Sequence, residues 1–89
     1  MLPLPQTLNQ SSATACLRDL SVALRAGPAA VVVDAAHLSQ FDSAALAVLL
    51  ALRREALALG KTFAIAGLPP QLADLGRLYG IAELLPVQG

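Results

Sequence analysis

Three titratable side chains lie where α/β proteins often carry chemistry, namely the only histidine, His37, and the carboxylates Asp34 and Asp42. Together they could serve acid–base catalysis, but such catalysis also needs a reacting group within hydrogen-bond reach of the base. A metal site would need further ligands, and no acidic pair stands beside His37 at ligand spacing. We therefore expect His37 to be a solvated loop residue. Asp34 and Asp42 are expected to accept hydrogen bonds from loop and helix amides.

The other reactive residue types also lack the neighbours that chemistry requires. Cys16 is the only cysteine, so neither an intramolecular disulfide nor a cysteine-based zinc site can form, and we expect it in the core. The six glycines stand apart, and the chain contains neither a Gly-x-Gly-x-x-Gly nor a Walker-type sequence. The sequence therefore predicts no catalytic residues, no metal and no cofactor, and thus a protein that is not an enzyme.

Composition narrows the class of partner. The 89 residues carry six basic and six acidic side chains, so the formal charge is zero and the basic excess typical of nucleic-acid binding is missing. The N-terminus lacks a signal-peptide pattern, and the longest apolar run, Ala44 to Leu52, is too short to span a bilayer. We expect a single cytoplasmic domain, residues 1–89, with no nucleic-acid partner and no membrane insertion.

Hydrophobic spacing, glycine and proline predict an α/β fold with the order β-α-β-α-β-α. Strands are expected near Leu2 to Leu8, at Ala30 to Asp34 and at Lys61 to Ala66; helices are expected from Ser11 or Ser12 to Gly27, from Asp42 to Leu59 and from Pro69 to Gly80. A short extended segment is expected at Leu84 to Val87. The strand–helix–strand units imply a mainly parallel sheet. The run Val31 to Val33 is typical of a central strand covered on both faces.

The second predicted helix carries two contrasting faces. Its leucines spread over a wide apolar face, formed by Leu46, Leu49, Leu50, Leu52 and Leu57. Opposite them lies an alanine stripe, Ala44, Ala47, Ala51 and Ala58, which is flanked by Arg54 and Glu55. A solvated face normally carries long polar side chains, so the stripe favours close approach of a partner backbone. Alternatively, alanine is present simply as a good helix former. Ser43 begins the stripe at the helix N-terminus, where a phosphate would be favoured.

Two segments together resemble a known family. The run Val31-Val-Val-Asp, followed by Phe41-Asp-Ser-Ala-Ala-Leu46, resembles the signature of STAS domains, in which a strand ends in Asp and a loop leads to Asp-Ser/Thr-x-Gly-Leu at a helix start. The segment from Gly67 through Leu78-Tyr79-Gly80 to Pro86 is similar to the MlaB-like members. The resemblance spans Leu2 to Pro86. The chain differs in having room for only one strand before the first helix, so that the first family strand would be missing, and in Ala45 replacing glycine.

The resemblance implies a non-catalytic subunit that binds and supports the ATPase of an ABC-type phospholipid-transport complex, which maintains outer-membrane lipid asymmetry. The domain would be peripheral to the inner membrane through that partner. The contact surface implied is Asp42, Ser43, Ala44, Ala47 and Ala51. The alternative is an anti-sigma-factor antagonist whose partner is an anti-sigma-factor kinase and which is regulated by phosphorylation of Ser43. In that case the Cβ of Ala45, expected beside Ser43, would disfavour kinase docking.

Overall fold

The computed structural model describes residues 1–88, and Gly89, the last residue of the predicted domain, lies outside the described residues. Residues 1–88 form three α-helices and six short strands, whose bounds are as follows: β1 Leu2–Pro3, β2 Thr7–Leu8, α1 Ala13–Ala26, β3 Ala30–Asp34, β4 Gln40–Phe41, α2 Ala44–Ala58, β5 Thr62–Ala66, α3 Pro70–Leu78 and β6 Val87–Gln88. A 3₁₀ turn, Ala82–Leu84, precedes β6. The extended segment predicted at Leu84 to Val87 is confirmed only at Val87, since Leu84 belongs to the 3₁₀ turn. The predicted α/β fold is confirmed.

The main sheet has the order β1-β3-β5-β6, and every neighbouring pair is parallel. The longest pairing joins β3 and β5, with Val31 opposite Phe63 and Val33 opposite Ile65. The valine run therefore lies in an interior strand, as predicted. A second, two-stranded parallel sheet joins β2 to β4 just before α2.

The segment before α1 corrects the prediction of a single N-terminal strand. It holds two strands of two residues, β1 on the main sheet and β2 on the small one. The prediction that the first family strand is missing was therefore wrong. Pro3 and Pro5 cannot donate to a ladder, and they interrupt what would otherwise be one strand. The carbonyl oxygen of Gln6 then accepts hydrogen bonds from the amides of Ser39 and Gln40, at 2.9 and 3.0 Å, which turns the chain toward β4.

The main sheet is covered by helices on one face, not on both as the valine run predicted. Val31 and Val33 are buried, whereas Val32 between them is half-buried, and β5 repeats the same alternation. Strand residues alternate between the two faces, so one face of the sheet carries the core. Val32 is paired with Ala64 on the opposite face, which no helix covers completely.

The core lies between that face of the sheet and the three helices. Its largest side chains include Leu24 of α1, Leu49 and Leu52 of α2 and Leu72 of α3, each at most 1 % exposed. Burial of one leucine contributes roughly 1.5–3 kcal/mol. The sequence predicted too wide a leucine face for α2, since Leu57, which was assigned to that face, is 49 % exposed. The helix ends at Ala58 ahead of Gly60, whose positive φ of 72° fits the predicted glycine stop.

Candidate functional site

Asp42 fastens the start of α2 to the loop before α1. Its Oδ1 accepts a hydrogen bond from the backbone amide of Ala44 at 2.8 Å, which is the predicted cap. Its Oδ2 accepts a second hydrogen bond from the amide of Gln10 at 3.1 Å. The two bonds hold the β2–α1 loop against the first turn of α2. Both carboxylate oxygens of Asp42 are therefore used to position the backbone of α2 and of the loop before α1.

Ser43 lies in the first turn of α2 with its side chain exposed. The backbone is already helical at this residue, and its hydroxyl forms no hydrogen bond to any residue in 1–88. The carboxylate of Asp42 accepts from the helix amide of Ala44, so the hydroxyl of Ser43 is left free for an external contact. A shallow depression surrounds it, lined by Gln10, Asp42, Ser43, Ala44 and Ala47.

The solvent-facing side of α2, here called the outer face, comprises Ser43, Ala47, Leu50, Arg54, Leu57 and Ala58. Leu50 is half-buried and the other five residues are exposed. Ala44 and Ala51 of the alanine stripe are half-buried beside the outer face, so only Ala47 and Ala58 of the stripe are exposed. Of the five predicted contact residues, four line one depression, and Ala51 lies one helical turn beyond Ala47.

The two residues that flank the alanine stripe have different surroundings. The Glu55 carboxylate points to α1, where Oε2 accepts a hydrogen bond from the hydroxyl of Ser21 at 2.8 Å. Its Oε1 lies 3.2 Å from Nη1 of Arg25, close enough for an ion pair although the angle does not meet hydrogen-bond geometry. Arg54 is exposed on the outer face. Glu55 therefore belongs to the helix interface, and only Arg54 is available to a partner.

The remaining titratable residues form no common site in the part of the chain that the structure describes. Asp34 Oδ1 accepts a hydrogen bond from the amide of Ala36 at 3.0 Å, as predicted, and His37 is exposed. Across residues 1–88, no group of three His, Cys, Asp or Glu side chains is placed to hold a metal ion. Cys16 is half-buried, and burial raises the pKa of its thiol, with a further rise from the Asp19 carboxylate.

Comparison with known proteins identifies the family. The sequence matches the family described as "Mlab, STAS domain" over residues 2–86. The chain belongs to the STAS domain family. No curated protein is detectably similar to it in sequence.

Solved structures agree with this assignment at the level of the fold. An anti-sigma-factor antagonist (STAS) domain protein from Planctomyces limnophilus superposes with a TM-score of 0.78 and 17% identity, over 96% of this chain and 77% of that one. The anti-sigma factor antagonist SpoIIAA, in its unphosphorylated form, superposes with a TM-score of 0.74 and 17% identity, over 98% and 76% of the two chains. At this identity the likeness establishes a shared fold.

STAS domains are in general non-catalytic and act through contacts with other proteins. In this STAS domain the family signature falls on Asp42 and Ser43, which open the outer face of α2. Gln10 belongs to the same site but was missed from the sequence, because it contributes a backbone amide that any residue type supplies. Within residues 1–88, no helix combines the length and apolar character needed to cross a membrane.

Proposed function

We propose that this STAS domain is a cytoplasmic subunit that binds the ATPase of an ABC-type phospholipid-transport complex through the N-terminal half of α2. The match to the MlaB-type family over residues 2–86 supports this class of partner. One structural observation carries the choice of surface: the outer face begins with Ser43 and Ala47, both exposed and both short. A partner can approach the helix backbone closely there, with little side-chain entropy to lose.

Each residue of the proposed contact surface has a distinct role. Asp42 holds the first turn of α2 in place through the amides of Ala44 and Gln10, so its contribution is to position the surface. Ser43 offers an exposed hydroxyl for one hydrogen bond to the partner. Ala47 and the half-buried Ala44 and Ala51 provide shape without bulk. Peripheral location at the inner membrane would follow from the partner, because this chain would reach the membrane only through it.

The second candidate is an anti-sigma-factor antagonist regulated by phosphorylation of Ser43. Two observations favour it, namely the shared fold with SpoIIAA and the exposed Ser43 hydroxyl. Ala45 does not oppose it, contrary to the sequence expectation, because Ala45 is fully buried and lies away from the exposed side of Ser43. A phosphate on Ser43 would stand next to the Asp42 carboxylate and would add nearly two negative charges to the surface.

Binding of the purified domain to the ATPase subunit of a phospholipid-transport ABC complex from the same organism tests the first proposal. Ala47→Arg should weaken that binding roughly 100-fold, because the added charge is desolvated against the partner. Ala23→Arg is the matched control, since Ala23 is also an exposed helical alanine but lies on α1. Thermal unfolding should show both variants folded. Failure of the wild-type domain to bind the ATPase would overturn the proposal, as would equal binding by Ala47→Arg.

A further inference from the structure

Arg54 stands among apolar residues on the outer face of α2. Residues three or four positions away are its neighbours on a helix surface, and these are Leu50, Ala51, Leu57 and Ala58. None of them carries a charge. Leu50 is half-buried and Leu57 is 49 % exposed, so a cation projects from a surface that is otherwise apolar.

Two of the other four arginines are paired within the domain, whereas Arg18 and Arg53 form no ion pair with any residue in 1–88. Arg25 pairs with Glu55 across the helix interface at 3.2 Å, and Arg77 pairs with Asp74 one turn earlier in α3. Arg54 forms no ion pair with any residue that the structure describes. Glu55, the adjacent carboxylate, is engaged by α1. The positive charge of Arg54 is thus uncompensated on the outer face, one helical turn beyond Ala51, the last residue of the proposed contact surface.

The spacing of the outer face is that of a seam between two helices. Ser43, Ala47, Leu50, Arg54 and Leu57 follow one another at intervals of four, three, four and three residues. This alternation places side chains in line along one side of a helix, where a second helix can pack lengthwise. The small residues occupy the N-terminal half of the seam and the larger ones its C-terminal half. A helix seated along the seam would therefore cover Arg54 as well as Ser43 and Ala47.

We propose that a helix of the ATPase subunit packs along the outer face of α2 and places a carboxylate against Arg54. This inference rests on the proposed function and adds the chemistry of recognition to it. A guanidinium covered by a partner loses its water, and a facing carboxylate is the group that compensates for that loss. The occupant is thus an amphipathic helix that carries small or apolar residues and one Asp or Glu. Short residues near Ser43 let the two helices come together, and Arg54 sets the register.

Charge variants at Arg54 test the inference against the purified ATPase subunit. Arg54→Glu should weaken binding at least 30-fold and Arg54→Gln about tenfold, whereas Arg54→Lys should retain most of the affinity. Arg18→Glu, on an exposed position of α1, should bind within about twofold of wild type, since rim or remote charges contribute little. If wild type binds but Arg54→Glu binds equally well, the inference is overturned and the proposed function stands. If wild type does not bind, the proposed function itself has failed.

A charge swap identifies the facing carboxylate. Each exposed Asp and Glu of the ATPase is changed to Arg in turn and is assayed with Arg54→Glu. One such change in the ATPase should raise the affinity for the Arg54→Glu variant at least tenfold. The carboxylate residue changed in that ATPase variant should lie on a helix. Restoration by none of them, or by a carboxylate outside a helix, would contradict the inference.

Discussion

Ser21 and Glu55 join α1 to α2 through a hydrogen bond of 2.8 Å between the serine hydroxyl and the glutamate carboxylate. Ser21 is 9 % exposed, so its hydroxyl has little access to solvent and depends on this acceptor. Arg25, one turn further along α1, brings a positive charge to the same carboxylate. This contact adds a polar connection to the buried apolar side chains that hold α2 with its outer face toward solvent.

Removal of that acceptor should destabilise the domain. Glu55→Ala is expected to lower the free energy of unfolding by about 1–3 kcal/mol, because the Ser21 hydroxyl would remain buried without a partner. The measurement is urea unfolding followed by circular dichroism. Arg54→Ala is the control, because Arg54 is the exposed adjacent residue and should change stability by less than about 0.5 kcal/mol. Equal stability of the two variants would show that the contact contributes nothing.

Lys61 is expected to stabilise the end of α1. Its Nζ donates hydrogen bonds to the carbonyl oxygens of Leu24 at 2.7 Å and Gly27 at 2.9 Å, at the end of the helix where carbonyls lack the usual intrahelical partners. The Leu24 carbonyl otherwise accepts only a longer bond of 3.4 Å from the Gly27 amide. Lys61→Met keeps the aliphatic stem but removes the charge and the donors, and it should cost about 1–2 kcal/mol of unfolding free energy. Arg18→Met, which removes an exposed cation without such contacts, is the comparison. Indistinguishable urea midpoints for the two variants would contradict this role.

Much of the fold was predictable because its signals are local. The β-branched run at Val31 to Val33 and the isolated Gly60 each report a constraint that acts within a few residues. The errors arose where the outcome depends on distant parts of the chain. Two strands before α1 require the Gln6 carbonyl to meet the amides of Ser39 and Gln40, and nothing in residues 1–12 alone reveals that contact.

Gly67 should tolerate a side chain less well than Gly60. Both have positive φ, 69° and 72°, so alanine is strained at either position. A Cβ at Gly67 would also lie 3.0 Å from Cα and Cβ of Ala36, whereas nothing lies within 4 Å at Gly60. Gly60→Ala is expected to cost about 1–2 kcal/mol and Gly67→Ala about 1–3 kcal/mol more. Thermal and urea unfolding of the two variants isolate the steric contribution. Equal losses of unfolding free energy would mean that Ala36 moves aside at no measurable cost.

The candidate site was only partly predictable for a similar reason. An aspartate just before an apolar helix is a cap signal, and Asp42 does bind the amide of Ala44. The sequence of α2 alone does not reveal that Arg54 is exposed whereas the adjacent Glu55 is bound by α1. These different surroundings depend on Ser21, 34 positions before Glu55, and on Arg25, one turn further along α1. They also depend on how α1 crosses α2.

Cys16 should react slowly with thiol reagents near neutral pH. Burial raises the pKa of its thiol, and the Asp19 carboxylate raises it further, so the reactive thiolate is scarce. The rate of iodoacetamide labelling should increase with pH up to a pKa that lies above the ordinary value. Asp19→Asn removes the smaller contribution and should increase the labelling rate at pH 7.5 relative to wild type. Labelling as fast as that of a free cysteine peptide would contradict this expectation.

The hydroxyl of Ser43 separates the two candidate functions. The residue is exposed and its hydroxyl bonds to no residue in 1–88, so substitution should leave the unfolding free energy within about 0.5 kcal/mol of wild type. Ser43→Asp should weaken partner binding under either function, because it places a charge on the contact surface. Pull-down with the ATPase or with an anti-sigma-factor kinase measures that loss.

Ser43→Ala is the deciding variant. For a transport subunit the hydroxyl contributes at most one neutral hydrogen bond, about 1 kcal/mol, so binding to the ATPase should fall by no more than about fivefold. For an anti-sigma-factor antagonist the hydroxyl is the phosphate acceptor, so the variant should be constitutively active and should incorporate no phosphate from the cognate kinase. Because Ala45 is buried in the core, its Cβ does not add bulk to the exposed surface beside Ser43. Phosphate transfer to wild-type Ser43, together with absence of ATPase binding, would favour the antagonist and exclude the transport role.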